Sequence, residues 1–287
     1  MPPKSRLGQN FLRDQQAIRR IVASLGDCKD RTVVEIGPGQ GAITHELTGK
    51  AGKLIAVEYD RELAAGLSAM FSQKSSSPQA AEKNGLVAIE NVDVLSFDFA
   101  AVSTAASEKL IVVGNLPYYI TSPILMKLAE NSTVLDRAVL MVQREVADRV
   151  AAPPGSRDYG LLSVMVQLNG PVEALFTLPP SAFSPPPEVH STVFRWKFAP
   201  QFEALNVDRI SFPAFLRQVF ALKRKTLANN LRAAGFSAGS ISGALTASGI
   251  DAKARAEALP VEALARLWGS LKTKGATSND EVAPRLI

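Results

Sequence analysis

Short apolar runs alternate with amphipathic stretches along residues 1–200. The apolar runs predict strands at Thr32–Ile36, Leu54–Val57, Leu86–Ile89, Leu110–Val113, Ala138–Val142, Ala174–Thr177 and Thr192–Trp196. The amphipathic stretches predict a helix between an Asp14 N-cap and Gly26, and further helices at Ile43–Leu47, Glu62–Phe71, Ile124–Ala129 and Glu145–Val150. Because the first five strands are almost entirely apolar, we expect them to be buried on both faces of a mostly parallel sheet. The pattern predicts an α/β fold.

The strand pattern stops after Pro200. Helical periodicity then predicts helices at Phe212–Leu222, Thr226–Ala234, Ile241–Ser248 and Val261–Leu271, with Ser211 as an N-cap and Gly235 and Gly249 as stops. We therefore predict an α/β domain over residues 1–200 and a small helical domain over residues 201–271. Residues 272–287 lack periodicity and are predicted to form a flexible tail, and the polar segment 72–84 is predicted to be a loop.

The composition is that of a soluble globular protein, with 46% hydrophobic and 21% charged residues and a mean hydropathy of +0.07. No apolar run is long enough to cross a membrane, and the first residues lack the apolar core of a secretory signal. A single cysteine, Cys28, excludes an internal disulfide, and with two distant histidines it makes no zinc site, so we expect no metal. These features favour a reducing, cytoplasmic setting.

Positive charge is unevenly distributed along the chain. Residues 1–200 contain 20 basic and 20 acidic residues, whereas residues 201–287 contain 12 basic and 7 acidic ones. Local basic clusters occur at Lys4, Arg6, Arg13, Arg19 and Arg20, and at Lys223–Lys225. Such clusters are most often solvated helix faces, and contact with phosphates is the alternative. Charge alone does not decide between them.

The first candidate site is the glycine-rich segment Glu35–Gly41, between a predicted buried strand and a helix. Glycines there permit unusual backbone angles and let the backbone approach a ligand. Glu58 ends the next strand, 21 positions after Gly37, where a carboxylate can accept both hydroxyls of a ribose. The pattern predicts a nucleoside-bearing cofactor. It leaves open whether this is NAD, because Gly37, Gly39 and Ala42 also satisfy the loose dinucleotide fingerprint.

Asp93 follows the predicted strand Leu86–Ile89, at the edge where open α/β sheets bind ligands. Its carboxylate can accept a hydrogen bond from the exocyclic amine of a purine. It can equally cap the N-terminus of a helix. The sequence favours neither role for Asp93.

The most specific motif is Asn115-Leu116-Pro117-Tyr118, directly after a predicted buried strand. Methyl transfer to an aromatic amine requires two hydrogen-bond acceptors that turn the nitrogen lone pair toward the electrophile. The Asn115 side-chain oxygen and a backbone carbonyl held by Leu116-Pro117 provide them, and Tyr118 can stack on an extruded base. The alternative is a strand-to-helix turn with a capping Asn115. We favour the catalytic interpretation because the motif leaves aromatic residues at the crevice.

These motifs together resemble one family. The relevant segments are Leu7–Leu12, Glu35–Gly41, Glu58, Asp93, Asn115–Tyr118, Phe183–Ser191, Lys223–Leu227 and Arg255–Leu259. In them the chain resembles the KsgA/RsmA family of small-subunit (16S) rRNA adenine N6-dimethyltransferases. The resemblance covers nearly the whole chain, and several of the motifs are rare outside this family and its close relatives.

The resemblance implies a class I, Rossmann-like methyltransferase domain that uses S-adenosylmethionine. It implies cofactor binding by Gln9, Asn10, Leu12, Gly37, Gly39, Glu58, Asp93 and Asn115. It further implies catalytic positions at Asn115, Leu116, Pro117, Tyr118 and Phe183. Asn115 and the Leu116 carbonyl would orient the target N6, while Tyr118 and Phe183 would enclose the flipped adenine.

The substrate implied by the resemblance is a pair of adjacent adenosines in a hairpin loop near the 3′ end of 16S rRNA. Both would become N6,N6-dimethyladenosine in the small ribosomal subunit or its precursor, with a role in subunit maturation. We expect a monomer with no membrane partner. The basic clusters then become candidate contacts for folded rRNA.

Three alternatives remain from the sequence. A 23S rRNA adenine methyltransferase of the antibiotic-resistance type shares the fold and pocket, although Arg255–Leu259 favours the KsgA/RsmA family. A DNA amino-methyltransferase would need a target-recognition region that the sequence lacks. A non-catalytic ribosome-assembly or transcription factor of the same fold is disfavoured by the intact set of Glu58, Asp93 and Asn115.

Overall fold

The computed structural model describes residues 10–74 and 86–275. Contacts divide the chain into two units: the chain up to Ala151 with Asn169–Pro200, and Ala152–Leu168 with the chain from Gln201 onward. The first unit contains the strands, and the second is helical. The domain limits at residues 200 and 271 stay predictions, because contacts do not show which part of the chain folds independently.

The strands of the first unit are β1 (Phe11–Leu12), β2 (Thr32–Ile36), β3 (Lys53–Val57), β4 (Leu86–Glu90), β5 (Leu110–Asn115), β6 (Leu135–Gln143), β7 (Val172–Leu178), β8 (Phe183–Ser184) and β9 (Ser191–Lys197). In the described residues the main sheet has the order β4-β3-β2-β5-β6-β9-β7. The first five strands in this order, β4, β3, β2, β5 and β6, run parallel to one another. Strand β9 is antiparallel to both of its neighbours, β6 and β7. The short strands β1 and β8 pair antiparallel with each other. The predicted α/β fold with a mostly parallel sheet is confirmed.

The helices of the first unit are α1 (Gln15–Ser24), α2 (Ala42–Leu47), α3 (Arg61–Lys74), α4 (Phe99–Ala106), α5 (Thr121–Glu130) and α6 (Arg144–Ala151). Helix α1 begins as predicted, since the Asp14 carboxylate accepts hydrogen bonds from the backbone N–H groups of Gln16 and Ala17 at 2.9 and 3.0 Å. Its buried residues pack in one apolar cluster with those of β2, β5 and β6. No helix in the described part of the chain is long and apolar enough for a membrane span.

Two features of this unit differ from the prediction. Helix α4 was not predicted, because its run of small residues lacks an amphipathic pattern; the Asp98 carboxylate caps it by accepting from the Ala101 N–H at 2.9 Å. Strand β4 is not buried on both faces, since it lies at the edge of the sheet and Leu86 is 64% exposed. The predicted loop 72–84 begins within α3, and residues 75–84 lie outside the described residues.

The helical unit contains α7 (Leu161–Leu168), α8 (Ser211–Val219), α9 (Leu227–Ala233), α10 (Ala238–Ala247) and α11 (Val261–Gly275). Its core includes Phe215 stacked on Trp268, with ring centroids 4.8 Å apart. Ser211 is not an N-cap: it is the first helical residue, and the Asp208 carboxylate accepts from its N–H at 2.7 Å. Helix α11 extends past the predicted end at Leu271, and the rest of the predicted tail, residues 276–287, lies outside the described residues.

The basic cluster Lys223–Lys225 lies between two helices, where the predicted helix limits at Leu222 and Thr226 leave it. Helix α8 ends at Val219, so these three residues occupy a turn before α9, in which Arg224 has a φ of 66°. The Thr226 side chain then caps α9. A turn presents adjacent charges more openly than a helix face does.

Just before β7, the backbone at Gly170 lies very close to the backbone at Lys197. Gly170 has a φ of 136°, and a Cβ placed there would lie 2.0 Å from the Lys197 carbonyl oxygen. The preceding residue, Asn169, is buried and accepts a hydrogen bond from the Ser132 hydroxyl at 2.7 Å. This segment therefore requires a glycine both for its backbone angle and for space.

We expect Gly170→Ala to lower the free energy of unfolding by about 3 kcal/mol, because the added methyl group must displace backbone atoms. Urea denaturation measures the change. Gly66→Ala is the matched control, since a methyl group added at this position within α3 would have no heavy atom within 4 Å. This control should raise stability by about 0.5–1 kcal/mol. Equal stability of the two variants would contradict the close approach.

Candidate active site

The carboxyl ends of β2, β3 and β5 open on two adjoining cavities. The first, of about 270 Å³, is lined by Asn10–Arg13, Gln15, Glu35, Gly37–Gln40, Ala42, Ile43, Glu58 and Asn115–Tyr118. The second, of about 320 Å³, is lined by Ile36, Gly37, Val57–Tyr59, Val92–Leu95, Pro117, Tyr119, Ile120 and Ile124. Gly37, Glu58 and Pro117 line both. The structure thus brings most of the predicted site residues to one edge of the sheet.

The glycine loop follows β2. Its glycines Gly37, Gly39 and Gly41 have φ angles of 65°, 57° and 82°. At Gly39 a Cβ would lie 3.0 Å from the Phe11 ring, so Phe11 of β1 packs directly over the loop. Phe11 was not predicted from the sequence, because only the fold brings the N-terminal segment onto the loop.

The Glu58 carboxylate is held by backbone donors on both oxygens. Gly39 donates to Oε2 at 3.0 Å, and Asp60 donates to Oε1 at 2.9 Å. The Asn91 side chain, also missed from the sequence, donates to the Glu58 carbonyl at 2.9 Å and so ties the ends of β3 and β4 together. Burial raises the pKa of Glu58. Each carboxylate oxygen retains a lone pair for a hydroxyl donor.

Asp93 lines the second cavity rather than the first. Its Oδ1 accepts from the Leu95 N–H at 2.9 Å, which caps a turn. The next helix, α4, has Asp98 as its N-cap. Asp93 is therefore not an α-helix cap, and it presents its carboxylate beside Glu58.

The Asn115 side chain ends β5 and faces the N-terminal segment. Its Nδ2 donates to the Asn10 carbonyl at 3.1 Å, which engages the amide nitrogen and leaves the oxygen to accept. Ile120 precedes α5, and Pro117 precedes the short 3₁₀ helix Tyr118–Ile120, so Asn115 caps neither helix. The alternative interpretation of Asn115 as a helix cap is wrong.

The Leu116 and Pro117 carbonyl groups differ in their partners. The Pro117 oxygen accepts from the Ile120 N–H at 3.2 Å and from the Thr121 hydroxyl at 3.0 Å. Within residues 10–74 and 86–275, the Leu116 carbonyl oxygen accepts no hydrogen bond, while its N–H donates to Met141 at 2.9 Å. Leu116 is thus fixed by its N–H and keeps its carbonyl as an acceptor.

The two predicted aromatic residues occupy different environments. Tyr118 is half-buried, lines the first cavity, and its hydroxyl oxygen lies 2.8 Å from Ser191 Oγ. Burial raises the pKa of this hydroxyl. Phe183 is only 4% exposed, packs in the apolar cluster beneath α1, and is not among the described residues that line either cavity. Its stacking role therefore stays a prediction that requires its ring to turn outward.

Of the three cofactor-binding residues predicted in the N-terminal segment, two lie at the site in the described residues. Asn10 and Leu12 line the first cavity, although Leu12 is also 5% exposed and part of the core. Gln9 lies outside the described residues. Arg13 Nη2 donates to the Gln40 side chain at 3.2 Å, which adds a link between this segment and the glycine loop.

Glu35 is the most deeply buried carboxyl group of the site. It is 1% exposed and accepts from the Thr44 hydroxyl at 2.7 Å. Burial raises its pKa to about 7; the Thr44 hydrogen bond opposes this shift, and the negative charge of Glu58 adds to it. Glu35 therefore keeps a proton in the folded state under conditions where an exposed glutamate loses it.

The sheet order, the glycine loop after β2 and the acid after β3 define a class I S-adenosylmethionine-dependent methyltransferase. The ribosomal RNA adenine dimethylase family matches residues 3–272. The chain belongs to this family, and it is an rRNA adenine dimethyltransferase whose methyl donor is S-adenosylmethionine.

Named relatives are similar along almost their whole length. A protein of Acidobacterium capsulatum named ribosomal RNA small subunit methyltransferase A is 54% identical, over 94% of this chain and 92% of that protein. A protein of the same name from Koribacter versatilis is 47% identical, over 94% of each. The crystal structure of the 23S rRNA methyltransferase ErmE has a TM-score of 0.65 at 25% identity, covering 92% of this chain and all of that one. A Plasmodium falciparum dimethyladenosine transferase, at 22% identity and a TM-score of 0.72, shares the fold over 92% of this chain and 98% of its own.

The residues present fit the donor. Gly37 and Gly39, both at positive φ, line the first cavity with backbone alone, and a Cβ at Gly39 would crowd the Phe11 ring at 3.0 Å. The buried Glu58 carboxylate offers two fixed acceptors, as the two hydroxyls of a ribose require. Asp93 provides an acceptor in the adjoining cavity. The acidic side chains of Glu58 and Asp93 also suit a ligand with a positively charged sulfonium group.

The buried Glu35 makes the stability of the protein without ligand depend on pH. Between about pH 4.5 and 7 the folded state holds the Glu35 proton and the unfolded chain releases it, so stability falls as the pH rises through this window. The loss attributable to Glu35 amounts to about 3 kcal/mol. We expect Glu35→Gln, which retains an acceptor for Thr44, to remove this part of the slope. Urea denaturation across the window measures it.

The matched control is Glu90→Gln, at the exposed end of β4. It should keep the wild-type dependence on pH, because the exchange at this exposed position leaves Glu35 and its burial unchanged. Parallel stability curves for the wild type and Glu35→Gln would show that Glu35 does not cause the decline.

Proposed function

We propose that the protein transfers methyl groups from S-adenosylmethionine to N6 of two adjacent adenosines in a hairpin loop near the 3′ end of 16S rRNA. The product is N6,N6-dimethyladenosine, formed in the small ribosomal subunit or its precursor. The observation that carries this proposal is that Asn115 and Leu116, whose N–H groups are engaged by the Asn10 and Met141 carbonyls, line the same cavity as Gly37 and Glu58. We further propose that the protein acts as a cytoplasmic monomer.

The cofactor supplies an electrophilic methyl group on a sulfonium sulfur. Asn10, Leu12, Gly37 and Gly39 would hold its amino-acid portion, Glu58 its ribose, and Asp93 its adenine amine. Glu58 is prepared for this role because its two backbone donors fix the carboxylate before a ligand arrives. The glycine loop and Phe11 line the same cavity.

Asn115 and Leu116 would orient the target amine. An adenine N6 lone pair is delocalised into the ring, and two acceptors for its hydrogens turn it out of that conjugation. Asn115 is fixed by Asn10, and Leu116 by Met141, so the acceptors need no rearrangement. The alkylated nitrogen is strongly acidic and releases its proton to water, so no general base is required. Positioning and electrostatics therefore account for catalysis.

Similarity favours the small subunit over the large one as the site of modification. The relatives at 54% and 47% identity carry small-subunit names, whereas the 23S enzyme is 25% identical. The match to the family also extends through residue 272, which includes the helical segment after Arg255. An additional role in subunit assembly is compatible with this chemistry, because it needs the same particle as substrate.

Asn115→Ala should abolish dimethyladenosine formation, with the rate falling at least about 100-fold, because one of the two acceptors is lost. The assay incubates the protein with labelled S-adenosylmethionine and unmodified small subunits, then digests the rRNA to nucleosides. The matched control is Asn131→Ala, whose side chain donates to the Lys127 carbonyl at the end of α5. The control should retain activity, and an active Asn115→Ala variant would refute the proposed mechanism.

The exposed turn Lys223–Lys225 is the proposed contact with rRNA phosphates. Replacing all three residues by Gln should weaken binding of small subunits and reduce the slope of log Kd against log salt by about 2, because fewer counterions are released. A filter-binding titration at several salt concentrations measures both quantities.

A charge-matched control replaces Lys29, Lys53 and Lys109 by Gln. These residues lie at the amino ends of β2, β3 and β5, at the edge of the sheet opposite the cavities. This control should keep the wild-type salt slope. If the two triple variants bind alike, the turn is not a phosphate contact.

A further inference from the structure

The Ser191 hydroxyl is a polar group within an apolar environment. Ser191 is the first residue of β9, and it is 0% exposed. Alternation along the strand places it on the same face as Val193, which packs in the apolar cluster that contains Phe183. Its partner is the Tyr118 hydroxyl, with the two oxygens 2.8 Å apart. A buried hydroxyl at this position thus reaches the residue that lines the cavity.

We propose that Ser191 is a positioning residue, which holds the Tyr118 ring in the plane that stacks on the target adenine. This inference rests on the proposed function. Tyr118 lies in a 3₁₀ helix of three residues, an element with few internal hydrogen bonds to constrain its side chains. The hydrogen bond to Ser191 attaches the far end of the ring to β9, which pairs with β6 on one side and β7 on the other. The ring is therefore fixed at both ends.

The plane of the base becomes more important at the second methyl transfer. In the first transfer, N6 carries two hydrogens, which match the two acceptors Asn115 and Leu116. After it, N6 carries one hydrogen, so one of these hydrogen bonds is lost and stacking must supply more of the orientation. Loosening Tyr118 should accordingly slow the second transfer more than the first.

The experiment follows both products over time with Ser191→Ala. Unmodified small subunits and labelled S-adenosylmethionine are incubated with the enzyme, and digestion separates N6-methyladenosine from N6,N6-dimethyladenosine. We expect the rate of the second transfer to fall about tenfold and monomethyladenosine to accumulate. Affinity for S-adenosylmethionine, measured by calorimetry, should stay at its wild-type value.

Thr192→Val is the matched control. Thr192 is the next residue of β9, is 5% exposed, and its hydroxyl oxygen lies 3.0 Å from that of Thr177 on β7. It faces the opposite side of the sheet from Ser191. The variant therefore removes an equally buried hydroxyl from the same strand without touching Tyr118, and it should give the wild-type ratio of products.

Tyr118→Phe removes the same hydrogen bond from its other end and keeps the aromatic ring. It should shift the product ratio as Ser191→Ala does, and the double variant should be no worse than Tyr118→Phe alone. This variant also tests the proposal if Ser191→Ala fails to fold.

Two results would overturn the inference. One is a wild-type product ratio in Tyr118→Phe or in Ser191→Ala. The other is an additive effect of the two substitutions, which would assign Ser191 to the packing of β9. Failure of the wild type to form dimethyladenosine would instead refute the proposed function as a whole, so the two failures are distinguishable.

Discussion

The parallel register of β2, β3 and β5 is the constraint on which the site depends. Ile36 lies opposite Val57 in one ladder and opposite Gly114 in the other, so the three strands end at the same level. This places the glycine loop, Glu58 and Asn115 together, although they come from distant parts of the sequence. A slip of one residue would turn every side chain of a strand to the other face. All five residues of β2 are buried, so both faces of this strand are packed, which opposes such a slip.

Local signals in the sequence were enough for much of this arrangement. Apolar runs located the strands of the main sheet, and the order of strand, glycines and acid located the cofactor side of the site. The edge position of β4 and the helix α4 could not be predicted, because strand order and the packing of small residues are decided by the whole sheet. Phe11 and Ser191 lie in segments that resemble the family, but no local pattern assigns either residue a role. Their partners, Gly39 and Tyr118, lie far along the chain, and only the folded sheet brings each pair together.

Buried acid groups give the site an electrostatic character that a motif does not reveal. Burial raises the pKa of both Glu35 and Glu58, so each holds a proton more readily than an exposed glutamate does. A positively charged ligand in the same cavity favours the ionised forms by Coulomb attraction. Uptake of the cofactor and release of protons are therefore thermodynamically linked in this fold.

Phe11 of β1, which packs over the glycine loop, is held by a short strand. Phe11 lies on Gly39, and in the described residues the strand that carries it pairs with β8 at two positions, Phe11 with Ser184 and Leu12 with Phe183. The backbone N–H groups of Arg13 and Asp14 add hydrogen bonds to the Ala182 carbonyl at 2.8 and 3.3 Å. Short ladders separate at a lower cost in free energy than the body of a sheet does. Separation of this seam would therefore uncover the glycine loop at a lower cost in free energy than any change in the seven-stranded sheet. The same seam holds Phe183 opposite Leu12, so its separation would also loosen the ring that is predicted to stack on the adenine.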